Sequence, residues 1–259
     1  MFSTFTTIFN TVLYQPIFNV FVGLYNIVPG HDIGVVILIV TILVRLILYP
    51  LTSSSIKAQK SMQDLQPKMD AVKKEHAGDQ QKQAQALMEL YKTNKVNPFA
   101  SCLPILIQLP ILIALYMVLR DGLMSNNLGK ELYSFIANPG QINPISLGYF
   151  DMAKKNVALA VLAGAAQWWQ AKSLIRTKPP AVAGAGGKDE GMAAMMNKQM
   201  LYFMPLMTVV VGISLPAGLT LYWFFSTLLT GLQQMLLFKK SKPEADKKEG
   251  VIEGEIVKK

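Results

Sequence analysis

The chain is poor in the residues on which most protein chemistry depends. It has one cysteine, Cys102, and two histidines, His31 and His76, in 259 residues. A lone cysteine excludes an intramolecular disulfide framework and cysteine-based metal spacing, and two histidines cannot supply a histidine-rich metal set. No Gly-x-x-x-x-Gly-Lys-Ser/Thr run is present, so the common nucleotide phosphate loop is absent too. Nothing before Arg45 is Lys or Arg, which removes the basic n-region that a secretory signal peptide needs. Charged residues make up only 16% of the chain against 51% hydrophobic. These shortages argue against an enzyme, and no cofactor or metal is expected.

What is present is apolar length. Stretches with at most one charge run from Ile33 to Ser53, Phe99 to Leu119, Asn156 to Ile175, Gln199 to Leu215 and Ala217 to Phe238. Each is near the length a helix needs to cross roughly 30 Å of hydrocarbon. The fold class expected is therefore an all-α integral membrane protein with five transmembrane helices. Residues 1–30, with Phe5, Ile8, Phe9, Val12, Leu13 and Pro16 at helical spacing, read as an interfacial amphipathic helix. Spans are expected at 31–54, 99–120, 156–175, 199–215 and 217–238, with an outside loop at 121–155, a cytoplasmic linker at 176–198 and a disordered basic tail at 239–259. The connections 54–98, 172–198 and 239–259 hold twenty of the 25 Lys and Arg residues, whereas 120–155 holds four. The positive-inside rule then places the N-terminus outside and the C-terminus in the cytoplasm. A net charge of +9 gathered in these loops suits anionic lipid headgroups and ribosomal RNA.

Residues 55–98 read as a cytoplasmic helical hairpin, with apolar seams Ile56, Met62, Leu65, Met69, Val72 and Ala84, Leu87, Met88, Tyr91 meeting across an Ala77-Gly78-Asp79 turn. Pro67 should bend or fray the first arm. Leu132 to Ile136 is a candidate short interfacial helix within the Asn-, Gly- and Pro-rich outside loop.

Arg45 is the thirteenth residue of the first span. On a straight helix it lies roughly 18 Å from Lys57, too deep to reach bulk water unaided. A central arginine costs at least about 3 kcal/mol on insertion scales, so it should face a bundle interior or a water-filled cavity. No Asp or Glu lies in another expected span to pair with it. Polar residues that could line one hydrophilic cavity around it are Thr41, Thr52 and Ser55 on its own helix and extension, and Ser101 and Gln108 in span two. Gln167 and Gln170 in span three, and Thr220, Trp223, Thr227, Thr230 and Gln234 in span five, complete the set. Taken singly, each is more often an interhelical hydrogen bond worth under about 1 kcal/mol.

Several runs then become recognisable together: VRLILYPLT around Arg45, LQPKMDAVKKEH, ALMELYKTNKVNPFASCLPILIQLPILIALY and AGLTLYWFFSTLLTGLQQ. In order and spacing this resembles the YidC/Oxa/Alb family of membrane-protein insertases over roughly residues 30–240. The resemblance implies a five-helix core, a cytoplasmic hairpin, and a groove open to cytoplasm and lipid but shut outside. It also implies that Arg45 is the groove arginine with Thr41 beside it, and that Gln167 and Trp223 line the groove. The chain lacks the large extracytoplasmic domain of Gram-negative members and the lipoprotein cysteine of Gram-positive ones. A bacterial cytoplasmic (inner) membrane location is implied, with nascent membrane proteins and the lipid bilayer as partners. The ribosome, the signal recognition particle pathway and a Sec translocon are candidate partners. A client would enter at Arg45 and leave along Leu109, Ile113, Tyr116, Tyr222 and Phe225. An anion channel or small-solute transporter using Arg45 is the alternative, although no internal repeat is visible. A membrane chaperone that translocates nothing is a further alternative.

Overall fold

A computed structural model describes residues 2–97, 103–124, 128–174 and 199–240. Helix α1 (Phe2–Phe9) runs through a π-helical turn at Asn10–Tyr14 into α2 (Gln15–Ile27). Then follow α3 (Ile33–Ile47), α4 (Tyr49–Glu75), α5 (Gln80–Thr93), α6 (Leu103–Met124) and α7 (Val157–Leu174). A second π-helical turn at Gln199–Phe203 leads into α8 (Met204–Ser214), and α9 (Ala217–Lys240) closes the described chain. The only sheet among the described residues is a two-stranded hairpin, β1 (Ile145–Ser146) and β2 (Phe150–Asp151).

One core joins four of these helices. Phe18, Phe21 and Val22 of α2 meet Ile33, Val36, Ile37 and Val40 of α3, Ile111, Leu115 and Val118 of α6, and Leu219 and Tyr222 of α9. On the other side α7 packs on α8 and α9 through small residues, Ala160, Ala163, Gly164 and Ala166, which let backbones approach closely. The outward faces remain apolar: Leu46 and Ile47 on α3, Leu106 on α6, Leu206 and Val210 on α8, and Leu236 on α9 are all more than half exposed. Apolar surface of this extent on several helices requires a bilayer. The chain is an all-α, multi-pass membrane helical bundle.

Among the described residues, two helices are long and apolar enough to cross a membrane, Thr6–Ile27 and Leu106–Leu123. A third crossing is available if the bent pair Ile33–Ile47 and Tyr49–Glu75 is one span. Five were expected from the sequence. The difference has physical causes: α7 carries Gln167, Gln170 and Lys172, α9 carries Ser, Thr and Gln along its length, and α8 has only 11 residues.

The first span departs furthest from expectation. It was placed at 31–54, but α3 ends at Ile47 and α4 leaves at 68°. Pro50, in the first turn of α4, supplies no N–H and its ring crowds the carbonyl four residues back, which favours a break at this point. Arg45 therefore sits one turn from an elbow rather than deep along a straight axis towards Lys57. Pro67, expected to bend or fray the arm, lies inside the 27-residue α4 without ending it. The expected turn at Ala77–Asp79 is present, with Gly78 at φ +98° and the Asp79 side chain capping α5 through Lys82 N at 3.0 Å. The short helix expected at Leu132 to Ile136 is absent. The backbone turns there, and the 3₁₀ turn lies earlier, at Leu128–Lys130. The linker 176–198 and the tail from 241 onwards lie outside the described residues.

The loop between α6 and α7 is laced to helix ends rather than hanging free. Asn19 donates to Glu131 O at 2.9 Å and accepts from Tyr133 N at 2.6 Å, Asn26 donates to Ala137 O, and Tyr25 OH accepts from Asn143 N. Asp32 caps α3 by accepting from Gly34 N and Val35 N, and also accepts from Ser146 Oγ and Leu147 N at 2.6 Å. Leu147 has φ +51°, a strained conformation for a side-chain residue that this bond helps to hold. A Cβ at Gly34 would overlap Ser146 Oγ, so only glycine lets the loop approach this closely.

Burial alone raises the Asp32 carboxyl, but the bonds from Leu147, Ser146, Val35 and Gly34 outweigh it and hold the group below its ordinary value of 3.8. A carboxyl lowered by folding contributes stability above its ordinary value, and that stability is lost as pH falls through the lower folded value. Asp32→Ala should cost about 1–2 kcal/mol at neutral pH. Detergent-solubilised thermal unfolding should show the deficit shrinking as pH falls below the ordinary carboxylate value, where the unfolded chain takes up the proton first and the folded carboxyl follows at its lower value.

Candidate functional site

Arg45 is half-buried in the last turn of α3, twelve residues from its N-terminal end, or roughly 18 Å by helix rise. Its Nε donates to Ser226 Oγ at 3.0 Å and its Nη2 donates to the same oxygen. Nη2 also reaches Gln108 Oε1 at 3.4 Å. The Gln108 amide then donates through Nε2 to Tyr222 OH at 2.6 Å. Three helices are thus tied at one level by Arg45 of α3, Gln108 of α6, and Tyr222 with Ser226 of α9. Ser226 lies nine residues from the N-terminal end of α9, roughly 14 Å by helix rise.

The chemistry of the cluster is one-sided. Every described partner of the guanidinium is neutral, and no carboxylate among the described residues forms an ion pair with it. A planar guanidinium has five donors in a fixed fork and suits bidentate recognition of a carboxylate. Two short side chains cannot use all of it, so capacity for a further acceptor remains. Nor can the cluster hold a metal: among the described residues no group of three His, Cys, Asp or Glu converges.

A family model described as 60Kd inner membrane protein matches residues 23–245. The chain belongs to that family. The 60Kd inner membrane protein relatives include the membrane protein insertase YidC of Fusobacterium nucleatum, 36% identical over 209 residues that cover 81% of this chain and 87% of the relative. The insertase YidC of Aeromonas salmonicida is 34% identical over 212 residues, 81% of this chain and 33% of the relative. That of Tolumonas auensis is 33% identical over 228 residues, 87% of this chain and 36% of the relative. The chain thus spans most of the first relative but only about a third of the length of the other two.

Against this 60Kd family background, the sequence-derived site residues separate into groups. Gln108 accepts from Arg45 Nη2 at 3.4 Å. Thr41 does not reach the guanidinium: it is fully buried and donates to Ile37 O of its own helix at 2.6 Å. Thr220 is also fully buried and braces the α8–α9 turn by donating to Gly212 O and Pro216 O. Thr227 is buried, Trp223, Gln167 and Gln170 are half-buried, and none of the four is hydrogen-bonded to Arg45. Ser101 lies outside the described residues.

Of the five residues assigned to a client's exit path, Leu109, Ile113 and Tyr116 form an exposed stripe on α6 at 54%, 44% and 40%. Phe225 is half-buried. Tyr222 is the correction, because it is 1% exposed and spends its hydroxyl on Gln108, so it belongs to the inner cluster and not to the lipid face.

Sequence reasoning missed Ser226 and Gln233. It followed the stripe Thr220, Trp223, Thr227, Thr230 and Gln234, one helical position away from the face that meets Arg45. The signal was Tyr222, Ser226 and Gln233, spaced four and seven on the same face of α9.

Proposed function

We propose that the protein is a membrane-protein insertase in which Arg45 attracts the polar, acidic segment of a client into a hydrated path open to cytoplasm and lipid. The observation that carries this reading is a guanidinium, at mid-depth on this reading, whose partners among the described residues are all neutral. A client carboxylate would complete its fork, and polar atoms solvated to that depth shorten the apolar path the segment must cross. The client's hydrophobic helix then leaves along Leu109, Ile113 and Tyr116, beside Phe225. The laced loop between α6 and α7 supports a path closed on the outside. Nascent membrane proteins and the bilayer are the partners on this reading. The ribosome, the signal recognition particle pathway and a Sec translocon would be met on the cytoplasmic face.

The reading is tested in liposomes holding the purified protein, with protease protection of a small client carrying an acidic or a basic translocated tail. The acidic tail should be protected at least about tenfold faster, a difference of about 1.4 kcal/mol. Equal protection of both tails removes the role of Arg45, and ion or solute flux without protection moves the assignment to a channel or transporter.

The topology that goes with this function has five spans, α3, α6, α7, α8 and α9, with the N-terminal helix lying along the outer rim, the N-terminus outside and the C-terminus in the cytoplasm of a bacterial inner membrane. Helix length alone would also let Thr6–Ile27 cross. Two contacts support the rim. Tyr14 OH donates to Asp121 in the last turn of α6, while Asn26, roughly 18 Å further along the helix axis, reaches Ala137 in the same outer loop. A crossing helix would have carried Tyr14 towards the opposite face. In a Cys102→Ser background, Thr4→Cys should react with an impermeant thiol reagent from outside and Ala77→Cys only after lysis. Labelling of Thr4→Cys from the cytoplasmic side alone would make the N-terminal helix a sixth span.

A further inference from the structure

The elbow between α3 and α4 is held by one side chain from another helix. Gln233 of α9 is 8% exposed and Thr52 of α4 is equally buried. Gln233 Nε2 lies 2.9 Å from Ser53 Oγ, 3.1 Å from Thr52 Oγ1 and 3.4 Å from Tyr49 O, while Thr52 Oγ1 is 3.2 Å from Gln233 Oε1. Thr52 Oγ1 also turns back to Leu48 O and Tyr49 O. All these atoms belong to the break and the first turn of α4, where Pro50 removes the backbone donor that would have continued α3. A helix end freed in this way has no fixed direction of its own, and the direction must come from outside.

Gln233 sits seven residues, two turns, beyond Ser226 on α9. The same face of α9 therefore grips both sides of the elbow: Ser226 holds Arg45 three residues before Leu48, and Gln233 holds Thr52 and Ser53 just after it. Further out, Lys60 Nζ lies 5.7 Å from the centre of the Phe238 ring, and Ser55 and Ile56 of α4 are buried. The α4–α5 hairpin beyond is largely exposed and α5 has no buried residue, so the angle of the arm depends on what is fixed close to the elbow.

We infer that Gln233 is a positioning residue that fixes the angle of the cytoplasmic hairpin against the bundle. It acts through Thr52 and Ser53, so that the hairpin stands at one distance from the cytoplasmic side of the Arg45 cluster. The inference rests on the elbow and not on insertase activity, and the experiment keeps the two apart.

Nitroxides are placed at Glu75→Cys and Leu236→Cys in a Cys102→Ser background, and their distance distribution is measured by pulsed electron resonance in lipid nanodiscs. The wild-type residue should give one narrow distribution. Gln233→Leu should at least roughly double its width, because the arm then samples several angles. Thr52→Val with Ser53→Ala should broaden it to the same degree, and adding Gln233→Leu to that pair should add nothing, as expected for groups acting as one unit. Should Gln233→Leu not fold, the Thr52 and Ser53 pair carries the same test. Unchanged widths in folded variants, or broadening that simply adds, would overturn the pin. Neither result depends on whether the protein inserts a client, which protease protection reports separately.

Discussion

Arg45→Ala should abolish most insertion of a client with an acidic tail while leaving the bundle as stable as before, or more so. The two halves follow from different energies. An arginine at the centre of a span costs at least about 3 kcal/mol, and among the described residues this one is met by a serine hydroxyl and a glutamine carbonyl. Removing it leaves Ser226 and Gln108, two neutral groups that can bond water or each other's neighbours, and Gln108 keeps its bond to Tyr222. No buried charge is orphaned, in contrast to breaking an ion pair, where the remaining partner costs about 3–5 kcal/mol. On the proposed reading, the function loses the attraction that draws a carboxylate to mid-depth. A loss of about tenfold or more in protected client, with an unchanged or raised melting temperature, is the expected pairing. Arg45→Lys separates charge from shape, because lysine keeps the cation but not the planar fork. It should insert the acidic client at an intermediate rate. If all three proteins insert alike, a thinned and hydrated path matters and the arginine does not. If Arg45→Ala melts well below wild type, the residue is a structural tie and the proposed role fails.

Much of this arrangement is legible in the amino-acid sequence. Apolar stretches around 33–53, 99–119 and 217–238 announce helices, and the Ala77-Gly78-Asp79 turn announces the hairpin, because a positive-φ glycine followed by a capping aspartate has few other uses. Arg45 stands out because charge is scarce in apolar runs. What is not legible depends on angle and face. The span read as 31–54 runs straight through Tyr49-Pro50, whereas α3 ends at Ile47 and α4 leaves at an angle. The depth of Arg45 was measured along an axis that the elbow does not follow. On α9 nearly every third or fourth residue is polar, so two adjacent stripes look alike in the sequence, and only packing against α3 selects Tyr222, Ser226 and Gln233. The β1–β2 hairpin has two residues per strand, below the length at which alternation can be seen. Its position is set by Asp32, more than a hundred residues earlier, a coupling no local pattern carries.

Gly231→Ala should destabilise the bundle, against the usual sign for a helical glycine. In a helix interior alanine is ordinarily better than glycine by roughly 0.5–1 kcal/mol, because it restricts the unfolded chain. At Gly231 of α9 the added Cβ would meet three atoms of one ring, Trp169 of α7, overlapping Cζ3 and lying 3.0 Å and 3.1 Å from Cε3 and Cη2. An indole is rigid and cannot bend away atom by atom, so either the whole side chain must leave its rotamer or α7 and α9 must separate. Overpacking of this kind costs typically about 1–3 kcal/mol, which exceeds the propensity gain. The consequence would extend beyond the contact, since α7 and α9 pack together along their length and α9 carries both Ser226 and Gln233. A lower melting temperature for Gly231→Ala, restored by adding Trp169→Leu, would locate the cost at this one contact through a double-mutant cycle. A loss that Trp169→Leu fails to restore would show the strain to lie elsewhere on α9. A gain in stability would mean that the ring has room to move and that the close approach of α7 to α9 does not depend on this glycine.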